Sequence, residues 1–248
     1  MKNILSYILS VGFYLCFGLA LVIFHPIQWI SFNVFGYKAH KKSVDILQLF
    51  LLRSLNILGS KISFENTFEI PDKNPVIVIA NHQSMYDIPP IIWYLRKYHP
   101  KFISKIELGK GIPSVSYNLR HGGSVLIERK NPRQSLPAIM KFADYIRENN
   151  RAAVIFPEGT RSKTGVPKKF QHKGLEILFK KIPNASIVPL SINNSWKIQN
   201  KGSFPLGIGA HIKFKVHQPL KLNDFETSKE AINHIESVIN KNIIQLPY

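Results

Sequence analysis

The stretch 80-ANHQSMYDIPP-90 sets His82 and Asp87 five positions apart, directly after the apolar run PVIVIA. An imidazole can accept a proton at neutral pH, and a carboxylate on its second nitrogen fixes the tautomer and stabilises the imidazolium. On a regular helix five residues turn through about 500°, leaving the two side chains about 140° apart. A working pair therefore needs irregular backbone between them, with Asp87 turned back toward the ring. The plainer alternative makes Asp87 the N-cap of a helix opened by Pro89-Pro90, and His82 a structural loop residue.

A second candidate is 156-FPEGTRS-162, which follows the apolar run AAVIF. Pro157 and Gly159 suit a tight loop, Glu158 is an acceptor, and Thr160, Arg161 and Ser162 are donors. Such a loop fits a phosphate, because a guanidinium meets two phosphate oxygens at once. An ordinary polar turn has the same composition. In 122-GGSVLIERK-130 a strand would deliver Arg129 to its carboxyl end, where open α/β sheets gather their ligands. A solvated basic strand end fits that stretch equally well. His211 and His217 show no zinc-ligand spacing such as H-E-x-x-H, and both are expected to face solvent on an alternating strand.

These candidates need a scaffold, and the chain supplies alternating elements. KISFE, PVIVIA, KFIS, SVLIE, AAVIF, ASIVPLSI and HIKFKVHQ have the composition of strands. Between them IPPIIWYLRKY, a segment from Asn131-Pro132 toward Asn149, HKGLEILFKK and a terminal segment from about Glu226 to Ile244 have helical patterns. Continuous apolar strands separated by helices predict an α/β fold with a largely parallel central sheet flanked by helices. Ahead of it stands a hydrophobic helical membrane anchor. Ile4 to Phe24 are 21 residues without a charge, enough to span a hydrocarbon core of about 30 Å. A pair of helices bending near His25-Pro26 and dipping into one leaflet is the alternative. Val44 to Leu58 is a further apolar helical stretch, stopping at Gly59. The division expected is 1–40 for the anchor and 41–248 for the remaining domain.

Lys and Arg number 33 against 15 Asp and Glu, a formal charge of +18. This balance predicts an anionic partner, such as an anionic phospholipid surface or an acidic substrate or carrier. No nucleic acid is expected, because the aromatic residues crowd the N-terminal apolar region instead of interleaving with basic ones. Lys38, His40, Lys41 and Lys42 follow the anchor while Lys2 alone precedes it, which would leave the C-terminal bulk cytoplasmic at the inner (plasma) membrane. One cysteine, Cys16, excludes an intrachain disulfide framework.

Taken together, the motifs resemble those of the glycerolipid acyltransferase family, whose best-known members convert lysophosphatidic acid to phosphatidic acid. That family carries N-H-x-x-x-x-D, G-x-x-x-I-x-R, F-P-E-G-T-R-S and a V-P-hydrophobic strand. Here they occur in order as Asn81 to Asp87, Gly123 to Arg129, Phe156 to Ser162, and Val188 to Leu190. The stretch 105-KIELGKGIP-113 is similar to the family's K-x-E-L segment, and Glu128 stands where the family often has Asp.

The resemblance implies that 41–248 is a catalytic acyltransferase domain, with His82 as general base supported by Asp87. It implies acceptor binding by Arg129, Glu158, Gly159, Thr160 and Arg161, with Glu158 organising the loop. The co-substrate would be an acyl-CoA or an acidic acyl carrier protein, with no cofactor and no metal. Lysophosphatidic acid is the implied acceptor; another lysophospholipid, a lyso-ornithine lipid or glycerol-3-phosphate is the alternative. A hydrolase reading, suggested by His121-Gly122-Gly123, lacks the G-x-S-x-G elbow of such enzymes.

Overall fold

The structure, a computed structural model, describes residues 2–244. Helix α1, Lys2–Ser54, is folded back on itself at Gly36, whose φ of 76° and ψ of −168° interrupt the helix. That left-handed φ is open to glycine at little cost, so the bend of the alternative, paired-helix reading is made by Gly36 and not by His25-Pro26. Pro26 removes one donor but stays within the helix. The arms on either side of Gly36 pack antiparallel, with Phe24 meeting Phe50 and Phe32 meeting His40. The second arm runs past residue 40 into a 3-10 turn, Leu55–Leu58, closed by Gly59.

The first arm carries two opposed stripes at helical spacing. Ser6, Ser10, Phe13 and Leu21 are buried, whereas Ile4, Ile8, Val11, Leu15, Leu19 and Val22 are exposed. The buried stripe is fastened along its length. Ser6 Oγ donates to Leu206 O at 2.6 Å, Leu206 N to Ser10 Oγ at 2.8 Å, and Ser114 Oγ to Leu21 O at 2.6 Å. Near the bend Asn33 Nδ2 donates to Tyr117 Oη at 2.9 Å. The helix is thus a wall of the domain on one side and an uncovered apolar surface on the other.

Strands β1 (Lys61–Glu65), β2 (Val76–Ala80), β3 (Lys101–Lys105), β4 (Val125–Ile127), β5 (Ala152–Ile155), β6 (Ser186–Asn193) and β7 (His211–Val216) form one sheet. Its order is β1-β7-β6-β2-β5-β3-β4, with β8 (Leu220–Lys221) beside β6. All pairings are parallel except β6 with β7 and β6 with β8. The run VIVIA of β2 is central and buried on both faces. Val76, Val78 and Ala80 face the α1 side, together with α2 (Ile88–Tyr94). Ile77 and Ile79 face α4 (Pro132–Glu148), α5 (His172–Lys181) and α6 (Ser228–Lys241). Every parallel strand of the centre therefore ends at the same edge, and the loops that follow β2, β4 and β5 are those holding His82, Arg129 and Glu158.

Two elements depart from the sequence expectation. Helix α3 (Val115–His121) lies between the strands KFIS and SVLIE, where the sequence pattern assigns no helix. It forms against α1, which supplies Leu21 O and His25 Nδ1 to Ser114. His217 does not face solvent: it is buried and its Nε2 pairs with Ser191 Oγ at 2.7 Å. The alternation of β7 ends at Val216, so Val216 and His217 are buried in succession. His211 is partly exposed and bonds Ser63 Oγ.

Candidate active site

The β2–β6 ladder pairs Ala80 with Leu190 and then continues through a side chain. Asn81 Nδ2 donates to Ile192 O at 2.8 Å and Ile192 N donates to Asn81 Oδ1 at 2.7 Å. This double bond of amide to backbone ends the strand and turns the chain out of the sheet. Gln83 fixes the next step, its Oε1 accepting from Ser195 N at 3.2 Å. The loop then closes in a single 3-10 turn, Met85–Asp87, capped by Ser84.

That turn carries the Asp87 carboxylate back over the loop. Asp87 Oδ2 lies 2.9 Å from His82 Nδ1 and accepts from Gln83 N and Ser84 N, both at 2.9 Å. No side-chain cap bond runs from Asp87 to α2, so the N-cap alternative does not hold for its carboxylate. Asp87 is fully buried, while the His82 side chain keeps 11% of its surface exposed. Phe156 stacks on the imidazole with centroids 4.0 Å apart and planes 17° from parallel, fixing the ring plane. With Nδ1 committed to Asp87, the open nitrogen is Nε2, and an imidazole held this way can accept a proton there.

The loop after β5 grips the His82 backbone from both sides. Glu158 Oε1 accepts from His82 N at 2.9 Å, and Ser162 N donates to His82 O at 2.7 Å. Glu158 Oε2 accepts from Lys168 N at 3.1 Å. Glu158 was grouped with the acceptor-binding residues by resemblance, but it is 3% exposed and lines neither cavity described below. Its carboxylate joins the two motif loops and touches no open space.

Burial raises the Glu158 carboxyl to about 7, against the pull of the His82 and Lys168 N–H groups and the Lys168 charge; the Asp87 charge adds to the rise. The native protein then keeps a proton that the unfolded chain releases near 4.5. Stability from this group is full below about pH 4.5 and is lost as pH rises through about 7. Glu158→Gln should flatten that component of the thermal midpoint between these pH values. Parallel midpoint-against-pH curves for the two proteins would exclude an elevated Glu158.

Arg129, at the end of β4, donates from Nη1 to Gly159 O at 2.6 Å. Gly159 has φ 69°, and a Cβ there would sit 2.7 Å from Gln171 Nε2, so the loop needs glycine. Burial and then the Arg161 charge hold Arg129 below the usual guanidinium range, partly offset by Glu107. Neither arginine takes part in a salt bridge among the described residues. Two like charges so placed favour a shared anion.

Two cavities meet at this ridge. One, of about 350 Å³, begins at His82 and runs under the α1 hairpin among Phe17, Leu21, Leu47, Leu51 and Ile92. The other is a groove of about 1030 Å³ on the α4–α5 side. Arg129, Phe156 and Thr160 line both, Arg161 only the first and Gly159 only the second.

The structure thus gathers all seven candidate residues at the carboxyl edge of the sheet, five of them on cavity walls. Reasoning from sequence missed Asn81, Ser84 and Phe156 as positioning groups. Asn81 and Phe156 each carried a signal, a polar or aromatic residue directly at a buried strand's end. Ser84 carried one too, standing three residues before Asp87 in capping-box spacing.

A parallel α/β sheet with a buried Asp–His pair, a cationic loop and an apolar cavity at one edge places a proton acceptor beside room for an anionic group and an apolar chain. The chain belongs to the Acyltransferase family, whose model matches residues 61–193, more than half of its length. It is similar to a 1-acyl-sn-glycerol-3-phosphate acyltransferase from Helicobacter pylori, 36% identical over 132 residues, covering 52% of this chain and 53% of that protein. Proteins of the same name from Cocos nucifera and Borreliella burgdorferi are each 30% identical. The first match covers 74% of this chain and 57% of the relative, the second 77% and 74%. The chain therefore spans little more than half the length of two of these three relatives. Its fold matches a crystal structure of the 1-acyl-sn-glycerophosphate (LPA) acyltransferase PlsC from Thermotoga maritima with a TM-score of 0.81. The identity there is 26%, over 98% of this chain and 96% of that one.

Proposed function

We propose that the protein transfers a fatty acyl group from an acyl thioester to the sn-2 hydroxyl of lysophosphatidic acid, giving phosphatidic acid. The observation that carries this reading is the imidazole of His82, tied through Nδ1 to Asp87 and facing an apolar cavity beside two arginines that form no salt bridge among the described residues. The names of the relatives support the same acceptor.

In this reaction His82 Nε2 takes the proton as the acceptor hydroxyl oxygen attacks the thioester carbonyl carbon. Asp87 stabilises the imidazolium so formed. Collapse of the tetrahedral adduct breaks the carbon–sulfur bond, and the departing thiolate recovers the proton from the imidazolium. The new ester and the free thiol leave with no group left on the protein. Arg129 and Arg161 hold the acceptor phosphate, with Thr160 between them, while the cavity under the hairpin takes an acyl chain.

The exposed stripe of α1 rests in the hydrocarbon of an anionic bilayer, with the exposed Lys38 and Lys42 beyond the bend among its headgroups. An arm fastened to the domain along its length favours a monotopic seat over a free span. The cytoplasmic face of the inner membrane is the location this charge distribution favours.

A panel of acceptors in mixed lipid and detergent tests the assignment. Lysophosphatidic acid should be acylated and monoacylglycerol should not, and equal turnover of the two would refute phosphate recognition. Arg161→Ala should raise the acceptor KM about ten- to hundredfold, the scale of a lost charge-assisted hydrogen bond, with a smaller change in kcat.

A further inference from the structure

We infer that the groove between α4 and α5 binds the phosphate-bearing arm of the acyl donor, the phosphopantetheine segment common to coenzyme A and acyl carrier proteins. The inference rests on the acyl-transfer reading and adds a second anion site to it.

The acceptor phosphate must stay within a glycerol's length of the hydroxyl at His82, which places it at the ridge of Arg129, Thr160 and Arg161. The groove continues past that ridge, away from the cavity that His82 lines. Its outer wall carries Lys130 and Lys173, and Lys105 stands at its inner end. All three are exposed, and none is in a salt bridge among the described residues. Glu107 and Glu128 also line the groove, so with Arg129 it holds four cationic side chains against two carboxylates and stays net positive. The floor is apolar, made by Ile127, Ile139 and Ile155. A cationic rim over an apolar floor suits an elongated, flexible arm that ends in phosphate, and not a bare inorganic ion.

The shared ridge gives the geometric link. With the acyl chain under the hairpin and the thioester beside His82, the remainder of the donor must leave the first cavity. The second cavity opens across the same Phe156 and Thr160. Donor arm and acceptor phosphate would then lie on opposite sides of Arg129.

The test is the double variant Lys130→Ser with Lys173→Ser in the full-length chain. Its KM for acyl-CoA and acyl carrier protein should rise about tenfold, the effect expected of two lost charge contacts near a surface, while the acceptor KM holds. The preference for acyl-CoA over the phosphate-free acyl N-acetylcysteamine thioester should fall by the same factor. A rise confined to acyl-CoA would identify its nucleotide phosphates as the contact and overturn the shared-arm assignment. Unchanged donor KM, or an acceptor KM that rises in its place, would also overturn it. Calorimetric titration with coenzyme A separates this inference from the reaction itself. Binding by the native chain, weakened about tenfold in the variant, supports the groove even if no acceptor is acylated. Absence of binding by the native chain removes it.

Discussion

His82→Ala should keep the fold and lower acyl transfer by at least about 10²–10⁴-fold, the contribution of a positioned general base. The fold should survive because the His82 side chain lies at the cavity wall, whereas its backbone carries the bonds to Glu158 and Ser162. Alanine keeps that N–H and C=O. The loss should fall on kcat, since lysophosphatidic acid is to be held by its phosphate at Arg129 and Arg161. Phosphate-dependent binding of the acceptor by the variant, followed in lipid or detergent, separates lost chemistry from a lost site. Transfer that persisted in the variant at native rates would sink the mechanism.

Asp87→Asn is the sharper experiment, because Asp87 has two tasks that different substitutions separate. Its Oδ2 accepts from the backbone of Gln83 and Ser84 and also meets His82 Nδ1. An asparagine oxygen can keep the backbone bonds, so the loop should hold. That same oxygen meets Nδ1 but carries no charge, so the imidazolium formed during transfer loses its stabilisation. The expected result is a thermal midpoint near native with transfer reduced by about 10²–10⁴-fold. Asp87→Ala should also lose stability, since two buried N–H groups go unpaired at about 1–3 kcal/mol each. Comparable activity in Asp87→Asn and the native chain would return Asp87 to a purely structural role.

Much of the scaffold is legible in the sequence. Strand β2 was plain because five successive apolar residues with a polar stop suit a strand buried on both faces, and α5 matched the segment HKGLEILFKK end to end. Helix α3 was not, because its formation depends on α1 lying across Ser114. The bend of α1 was misplaced for a related reason. Proline at 26 is a strong local breaker, yet an isolated proline costs one hydrogen bond, whereas reversing the chain needs the left-handed φ that Gly36 supplies. The length of the apolar run equally suited a spanning helix. Only the buried stripe, with Ser6 and Ser10 bonded to Leu206, distinguishes an arm clamped to its own domain.

By itself the sequence determined residue types, their order and the periodicity of the elements that bear them. From these came a parallel α/β sheet, a histidine and an aspartate in one loop, and a cationic loop beyond the next buried strand. The tertiary structure alone decided that Asp87 turns back to His82 and caps nothing on α2. It also decided that Glu158, 76 residues from His82, holds that residue's backbone instead of a substrate. The first turns on the irregular 3-10 turn that closes the loop, and the second on groups meeting at the edge of a sheet whose neighbouring strands are far apart in the chain. Periodicity and propensity act within a few residues, and a carboxylate's partner is settled only when the strands have brought its donors within reach.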